Sequence, residues 1–441
     1  MPRMTADTTA AEKQWFGHPR GLATLFFTEM WERYSYYGMR ALLFLYMVGS
    51  TQRPGLGFDE AKAGSIYGWY TFSVYATGLI GGFIADRWIG HYRSVLWGGI
   101  IIALGHFSMA VPHLQFFFLG LALIVIGTGL LKPNVSTLVG SLYRKDDPRR
   151  DAGFSIFYMG INIGAFGAPF ITGWLGQKYN WHLGFAAAGV GMVVGVIQYM
   201  AGKKYLVPAE PLERASEEHP EEPAPPLTST DWMRISVIGI LFIFTTIFWA
   251  GYEQAGTSLN LFADRATRLT LFGWTYPSSW FQSVAPLCVF TCAPIFAWLW
   301  THLGKYDPSS PMKFTIGLGF LSVSYLFILQ GAHLYETTHA RVSPMWLIVL
   351  YFLQTCGEIC LYPTGMSMVT KLSPPRLVGL LMGIFFLSLA FGNKIAGWVA
   401  GFLKDLPFSQ VFWIAFVTSG VAALVLIAIV PAIKKLMRGV H

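Results

Sequence analysis

Apolar runs long enough to cross a bilayer recur twelve times along this chain, and no other feature narrows its fold as far. A spanning helix needs about 20 residues. Runs of that length fall near 22–48, 63–85, 94–111, 115–140, 153–175, 183–202, 233–262, 278–301, 312–333, 344–370, 377–402 and 410–433. Charge is correspondingly scarce. Only 12% of residues are charged, against about 25% in soluble domains, so an ordinary water-soluble enzyme is excluded. The expectation is an all-α membrane protein with two six-helix halves, at 1–202 and 232–441.

Between the halves, residues 203–231 open with Lys203-Lys204 and hold six glutamates with Pro208, Pro211, Pro220, Pro223, Pro225 and Pro226. This stretch reads as a polar, acidic, proline-rich linker. Cytoplasmic loops collect Lys and Arg. With the N-terminus inside, 20 of the 31 such residues fall on that side, 7 on the other and 4 within helices. Both termini and the linker are therefore expected in the cytoplasm. The net charge of +8 is an orientation charge on this reading, with no nucleic-acid partner. The first 20 residues lack the apolar core of a signal peptide. Four cysteines inside apolar stretches predict packing residues, neither a disulfide scaffold nor a metal site.

The halves echo each other weakly. Lys132-Pro133 aligns with Tyr362-Pro363, Ala165-Phe166-Gly167 with Ala390-Phe391-Gly392, and Trp31-Glu32-Arg33 with Tyr252-Glu253-Gln254, at offsets of 230, 225 and 221. Internal duplication in a membrane protein is the mark of alternating-access transport, with the site between the repeats.

Charges inside helices locate that site. Glu29, Glu32, Glu253, Glu358, Arg33, Arg40, Lys132 and Lys394 all lie within apolar runs. Each charge costs about 2.5–3.5 kcal/mol at a helix centre, so such groups face a cavity or one another. At helical spacing, Glu29, Arg33, Tyr36 and Arg40 share one stripe of the first helix, with Glu32 at its margin. Trp249 and Glu253 share a face of the seventh. A carboxylate that can exchange a basic partner for a proton couples transport to protons more naturally than to sodium. Cations at Arg40 and Lys132 and an acid at Glu358 suit a zwitterion with separated charges, with Tyr36, Tyr37, Tyr75, Trp249 and Phe385 as amphipathic walls. Lys394 reads as a residue snorkelling to the outer interface and His106 as a packing histidine.

These residues resemble a known family. Glu29-Met-Trp-Glu32-Arg33-Tyr34-Ser-Tyr36-Tyr37 resembles the E-x-x-E-R-F-x-Y-Y signature of the proton-dependent oligopeptide transporters, a branch of the major facilitator superfamily. Phe157-Tyr158-Met-Gly-Ile-Asn162-Ile-Gly164-Ala165 is similar to the family's second signature. Gly82 to Gly90, with Asp86-Arg87, is similar to the superfamily's helix 2–3 loop motif. Phe248-Trp249 to Glu253 and Gly357-Glu358 resemble its later motifs.

The resemblance implies the major facilitator fold, with twelve helices and no extra helix pair in the linker. It implies proton coupling through Glu29, Glu32, Arg33, Lys132 and Glu253, with Lys132 salt-bridging the helix 1 cluster in a state-dependent way. Arg40 and Lys132 would receive a peptide carboxylate and Glu358 its ammonium. Tyr36, Tyr37, Tyr75, Asn162 and Trp249 would line the pocket, and Asp86 and Arg87 would gate the cytoplasmic side. Departures gather in the C-terminal half, where Ala285 precedes Pro286, Phe385 stands for a common Trp and Tyr362 for a common Ser.

The resulting expectation is a proton-coupled symporter importing di- and tripeptides across a bacterial inner membrane as a multi-pass monomer. It is not an enzyme, and it needs no cofactor or metal beyond the proton gradient. The rival reading is a proton-coupled carrier of another small zwitterion or anion, such as a drug, an amino acid or nitrate.

Overall fold

The computed structural model describes residues 14–49, 54–144, 147–206 and 227–438. Most of the acidic linker, including all six of its prolines and glutamates, lies outside the described residues. The bilayer core offers no water to backbone N–H and C=O groups, so a spanning segment must satisfy them internally, as a helix does. The chain accordingly runs as long helices. The first six are α1 (Arg20–Val48), α2 (Glu60–Ile84), α3 (His91–Met109), α4 (Leu114–Ser141), α5 (Arg150–Lys178) and α6 (Trp181–Ala201). They are followed by α7 (Ser229–Arg265), α8 (Ser278–Tyr306), α9 (Ser310–Thr338), α10 (Met345–Leu372), α11 (Pro375–Lys404) and α12 (Phe408–Leu436).

Among the described residues, nine of these are long and apolar enough to cross a membrane. The exceptions are α1, which carries Glu29, Glu32, Arg33 and Arg40, and α2 and α3, which are diluted by Gly, Tyr, Ser and His. The packing explains the exceptions. Glu32 is fully buried, whereas Leu424 of α12 is 68% exposed. Charged groups of α1 turn inward, and large apolar side chains cover the outside as well as filling the core, unlike in a soluble protein.

Side chains set the helix ends. Asp59 caps α2 by accepting the Lys62 N–H at 2.7 Å, a bond that holds its carboxyl below the usual carboxylate range. Thr228 and Asp231 form a reciprocal capping box at the start of α7.

In the first half α1 packs on α5 and α6, α3 on α4 and α6, and α2 on α4. In the second, α9 packs on α10 and α12, α8 on α10, and α11 on α7. Contacts between the two sets run chiefly through α2 with α11 and α5 with α8. The face where α1 begins and α7 begins is called here the linker face, and the opposite one the far face. At the far face, α2 and α11 approach so closely that a Cβ on Gly64 would lie 2.2 Å from the Gly397 carbonyl oxygen. Only glycine fits there.

Two helices are irregular where they pass the centre. α5 widens into a π turn at Pro169–Gly173. α7 tightens into a 3₁₀ turn at Glu253–Gly256, and Thr257 leaves helical geometry altogether (φ −129°, ψ −99°) before a last short helix, Ser258–Arg265. The apolar pattern predicts one unbroken run over 233–262. The break falls at Glu253, a residue that the sequence marks for function.

Candidate functional site

A cavity of about 260 Å³ lies between the two sets of helices, walled by α1, α2, α4 and α5 on one side and α7, α8, α10 and α11 on the other. Ten of the residues singled out in the sequence line it. Glu29, Arg33, Tyr37, Arg40, Tyr75, Lys132 and Asn162 come from the first set, and Trp249, Glu253 and Glu358 from the second. α1 supplies four of them, Glu29, Arg33, Tyr37 and Arg40, because residues three and four apart project from one face.

The charges are distributed unevenly. Arg33 clamps two carboxylates: its Nη2 donates to Glu32 Oε1 at 2.7 Å, its Nε donates to Glu32 Oε2, and its Nε lies 3.3 Å from Glu29 Oε1. The other Glu29 oxygen, Oε2, is buried without a hydrogen-bond partner. Arg40 reaches across the interface, its Nη2 paired with Glu253 and its Nε donating to the Tyr67 hydroxyl at 2.7 Å. On the opposite wall Glu358 Oε2 accepts the Tyr252 hydroxyl proton at 2.6 Å, and among the described residues no ion pair holds it. The α1–α4 wall thus holds three cations, Arg33, Arg40 and Lys132, against the Glu29 and Glu32 carboxylates, and the Glu358 carboxylate, bonded to a phenol, faces it.

Several expected positions differ. The salt bridge from Lys132 to the α1 cluster is not formed in this structure. The Lys132 ammonium sits 4.3 Å from the centre of the Tyr75 ring, a cation–π contact, while Arg33 holds Glu32 and one oxygen of Glu29. Glu32 is buried behind the wall, held by Arg33. Tyr36 is buried too, 5.1 Å beneath the Arg33 guanidinium and edge-on to Tyr37.

Phe385 is not in the wall. Its ring packs on α10 where Gly365 leaves a notch, 2.5 Å from the place a Cβ would occupy there, and Leu389 one turn further along α11 lines the cavity instead. Asp86 and Arg87 lie beyond the cavity, in the turn that ends α2. Asp86 is exposed, 3.6 Å from His91 Nε2, and Arg87 lies over the Phe83 ring. Lys394 sits 3.8 Å over the Trp69 ring on the outer surface of the α2–α11 pair, away from the cavity. His106 is buried with neither ring nitrogen bonded, and the four cysteines are free.

Sequence reasoning gave no role to four polar lining residues: Tyr158, Tyr252, Tyr362 and Gln282. Tyr158 and Tyr252 stand inside the motifs quoted above, four residues from Asn162 and one from Glu253, so the motifs carried a signal for them. Gln282 stands in no motif. Only the break in α7 reveals what it touches.

A second chamber of about 500 Å³ opens from this cavity toward the linker face. The two share Tyr75, Lys132, Tyr362 and Leu389. Its remaining walls are mostly apolar or glycine, including Gly78, Leu79, Gly379, Met382 and Gly383.

Comparison with known proteins identifies the family. The POT family matches residues 92–214 and 228–414. A transporter of Bacillus subtilis with no characterised substrate, YclF, is 42% identical over 97% of both chains. The peptide transporter YePEPT of Yersinia enterocolitica is 35% identical over 98% of each. A POT peptide transporter solved in complex with alafosfalin superposes with a TM-score of 0.86 at 39% identity, over 97% of this chain and 98% of that one. The chain belongs to the POT family of transporters, the family that its α1 and α5 stretches resemble.

Proposed function

We propose that the protein is a proton-coupled symporter that imports di- and tripeptides. The observation that carries this reading is the polarity of the cavity: Arg33, Arg40 and Lys132 outnumber the carboxylates of one wall, and the other presents Glu253 and Glu358, of which Glu358 pairs with no cation among the described residues. A peptide's carboxylate meets the first and its ammonium the second, so the substrate bridges the two sets of helices and its binding draws them together. The relatives named as peptide transporters support the same substrate class.

The proton acts on the carboxylates that the cations hold. Protonating Glu253 removes the charge that binds Arg40, which frees the guanidinium for a peptide carboxylate and loosens the link between α1 and α7. Glu29, held by one oxygen only, exchanges Arg33 for a proton more readily than Glu32, which is held by both. All twelve helices span. The halves 1–202 and 232–441 rock about the cavity as one monomer in a bacterial inner membrane, with 203–231 and both termini in the cytoplasm and the far face outside. Asp86 and Arg87 take part in closing the cytoplasmic side. The gradient supplies the energy, with no cofactor.

The test is uptake of labelled dialanine into proteoliposomes with and without an inward proton gradient. Accumulation that needs the gradient, collapses with a protonophore and is competed by tripeptides but not by free alanine is expected. Gradient-independent uptake, or competition by free alanine equal to that by trialanine, overturns the reading.

A further inference from the structure

The broken turn of α7 exposes backbone carbonyls in the middle of a membrane protein, where an unsatisfied polar group costs several kcal/mol. Side chains from neighbouring helices meet that need. Tyr325 of α9, fully buried, donates its hydroxyl proton to the Gly251 carbonyl at 2.7 Å. Gln282 of α8 donates its amide to the Ala255 carbonyl. These two bonds bracket Glu253, the residue that pairs with Arg40 across the interface. The bonds differ in one respect. Tyr325 is sealed in the second bundle, whereas Gln282 lines the charged cavity, half-buried and within reach of whatever fills it.

We propose that Gln282 is a positioning residue that couples occupancy of the cavity to the shape of α7: its amide holds the turn that presents Glu253 to Arg40, and a peptide carbonyl draws that amide away. The inference rests on the peptide-transport reading above. A peptide brings amide carbonyls, the one acceptor class that matches the Ala255 carbonyl in strength and geometry. Once Gln282 donates to the substrate, the Ala255 carbonyl is orphaned at low dielectric. Its nearest remedy is a regular helical bond from the N–H four residues on, so the turn rewinds. Rewinding rotates Glu253 relative to Arg40 and loosens the far-face link only when substrate is present. No bond beyond hydrogen bonds forms or breaks.

Gln282→Met removes the donor at nearly constant volume, which orphans the Ala255 carbonyl permanently. The expected result in liposomes is a peptide-independent proton leak at least fivefold above wild type, measured with an internal pH dye. Gradient-driven accumulation of dialanine falls by at least tenfold while KM stays within about threefold. Tyr325→Phe loosens the same turn without touching the cavity, and it is expected to raise the leak with KM unchanged. A rise in KM without leak in Gln282→Met shows a plain substrate contact and overturns the proposal, as does the absence of leak. If Gln282→Met fails to insert, the absence of leak in Tyr325→Phe overturns it instead. A wild-type protein that takes up no dialanine fails the peptide-transport reading itself, and is seen before either variant is made.

Discussion

The two ends of the central interface are built from the same kinds of residue and have opposite fates. At the far end, Gly64 and Gly68 of α2 meet the backbone of α11 around Gly397. Polar bonds cross from one bundle to the other there: Arg40 to Glu253, Asn260 Nδ2 to the Ala41 carbonyl at 2.9 Å, Gln177 to Ser278 at 2.7 Å and Arg265 to Glu60 at 2.8 Å. At the linker end the same two helices carry Gly78 and Gly82, and Gly379 and Gly383, yet a Cβ on Gly78 or Gly379 would meet nothing within 4 Å, and the 500 Å³ chamber lies between them. Small residues allow close approach but do not compel it. What closes the far end is the bonding laid over the glycines. The structure is therefore shut at the far face and open toward the linker face, the arrangement that releases cargo inward if the far face is outside.

The sharpest way to break this comparison is to add the same atoms at both ends. Gly64→Val drives a side chain into the Gly397 carbonyl oxygen, and neither backbone can yield. It is expected to cost more than about 3 kcal/mol of the far-closed state and to abolish dialanine uptake. Gly78→Ala is expected to leave thermal stability within about 0.5 kcal/mol. Equal losses of melting temperature for both would show that the two ends are packed alike. Next in size is the ion pair. Glu253→Gln leaves Arg40 buried without its anion, which in comparable pairs costs about 3–5 kcal/mol. Gradient-driven uptake should be lost and the unfolding midpoint lowered. Wild-type accumulation in this variant would remove Glu253 from the coupling cycle.

Much of this interface was legible in the sequence, because the cost of burying charge makes intramembrane Glu, Arg and Lys conspicuous. The α1 stripe, Lys132 beside Pro133, Glu253 and Glu358 could all be read from the sequence alone, and all line one cavity except Glu32 and Tyr36, which are packed behind the wall against Arg33. Contacts made by neutral residues could not. Tyr252 and Glu358 are 106 positions apart and nothing in either local pattern pairs them. Phe385 and Leu389 occupy one face of α11, and only the missing side chain at Gly365, on another helix, decides which of them reaches the cavity. The break in α7 was hidden for a different reason. Glu-Gln-Ala-Gly is compatible with an unbroken helix, and the side chains that satisfy the broken turn come from α8 and α9. Helix propensity is local, whereas this bend is set by tertiary bonds.

Within the cavity the comparison turns to the two walls. Glu358→Gln is expected to weaken binding of peptides with a free amino terminus by about tenfold, the worth of one charge-assisted hydrogen bond, and to leave N-acetylated peptides nearly unaffected. Competition against labelled dialanine measures both, and equal losses would remove the ammonium from Glu358. Tyr252→Phe removes only the phenol proton that Glu358 accepts, so a smaller loss of about threefold to tenfold is expected for the same peptides.

The smallest effect tests whether far-face closure depends on buried or exposed bonds. Arg265 pairs with Glu60 across the seam, but its side chain is 42% exposed. Exposed pairs contribute about 0.2–1 kcal/mol, and salt screens them. Arg265→Ala should therefore lower the unfolding midpoint only slightly, and should leave dialanine uptake within about twofold. Raising ionic strength should erase even that difference between variant and wild type. A loss as large as that of Glu253→Gln would mean that the rim holds the far face shut, and that the buried Arg40–Glu253 pair only follows it.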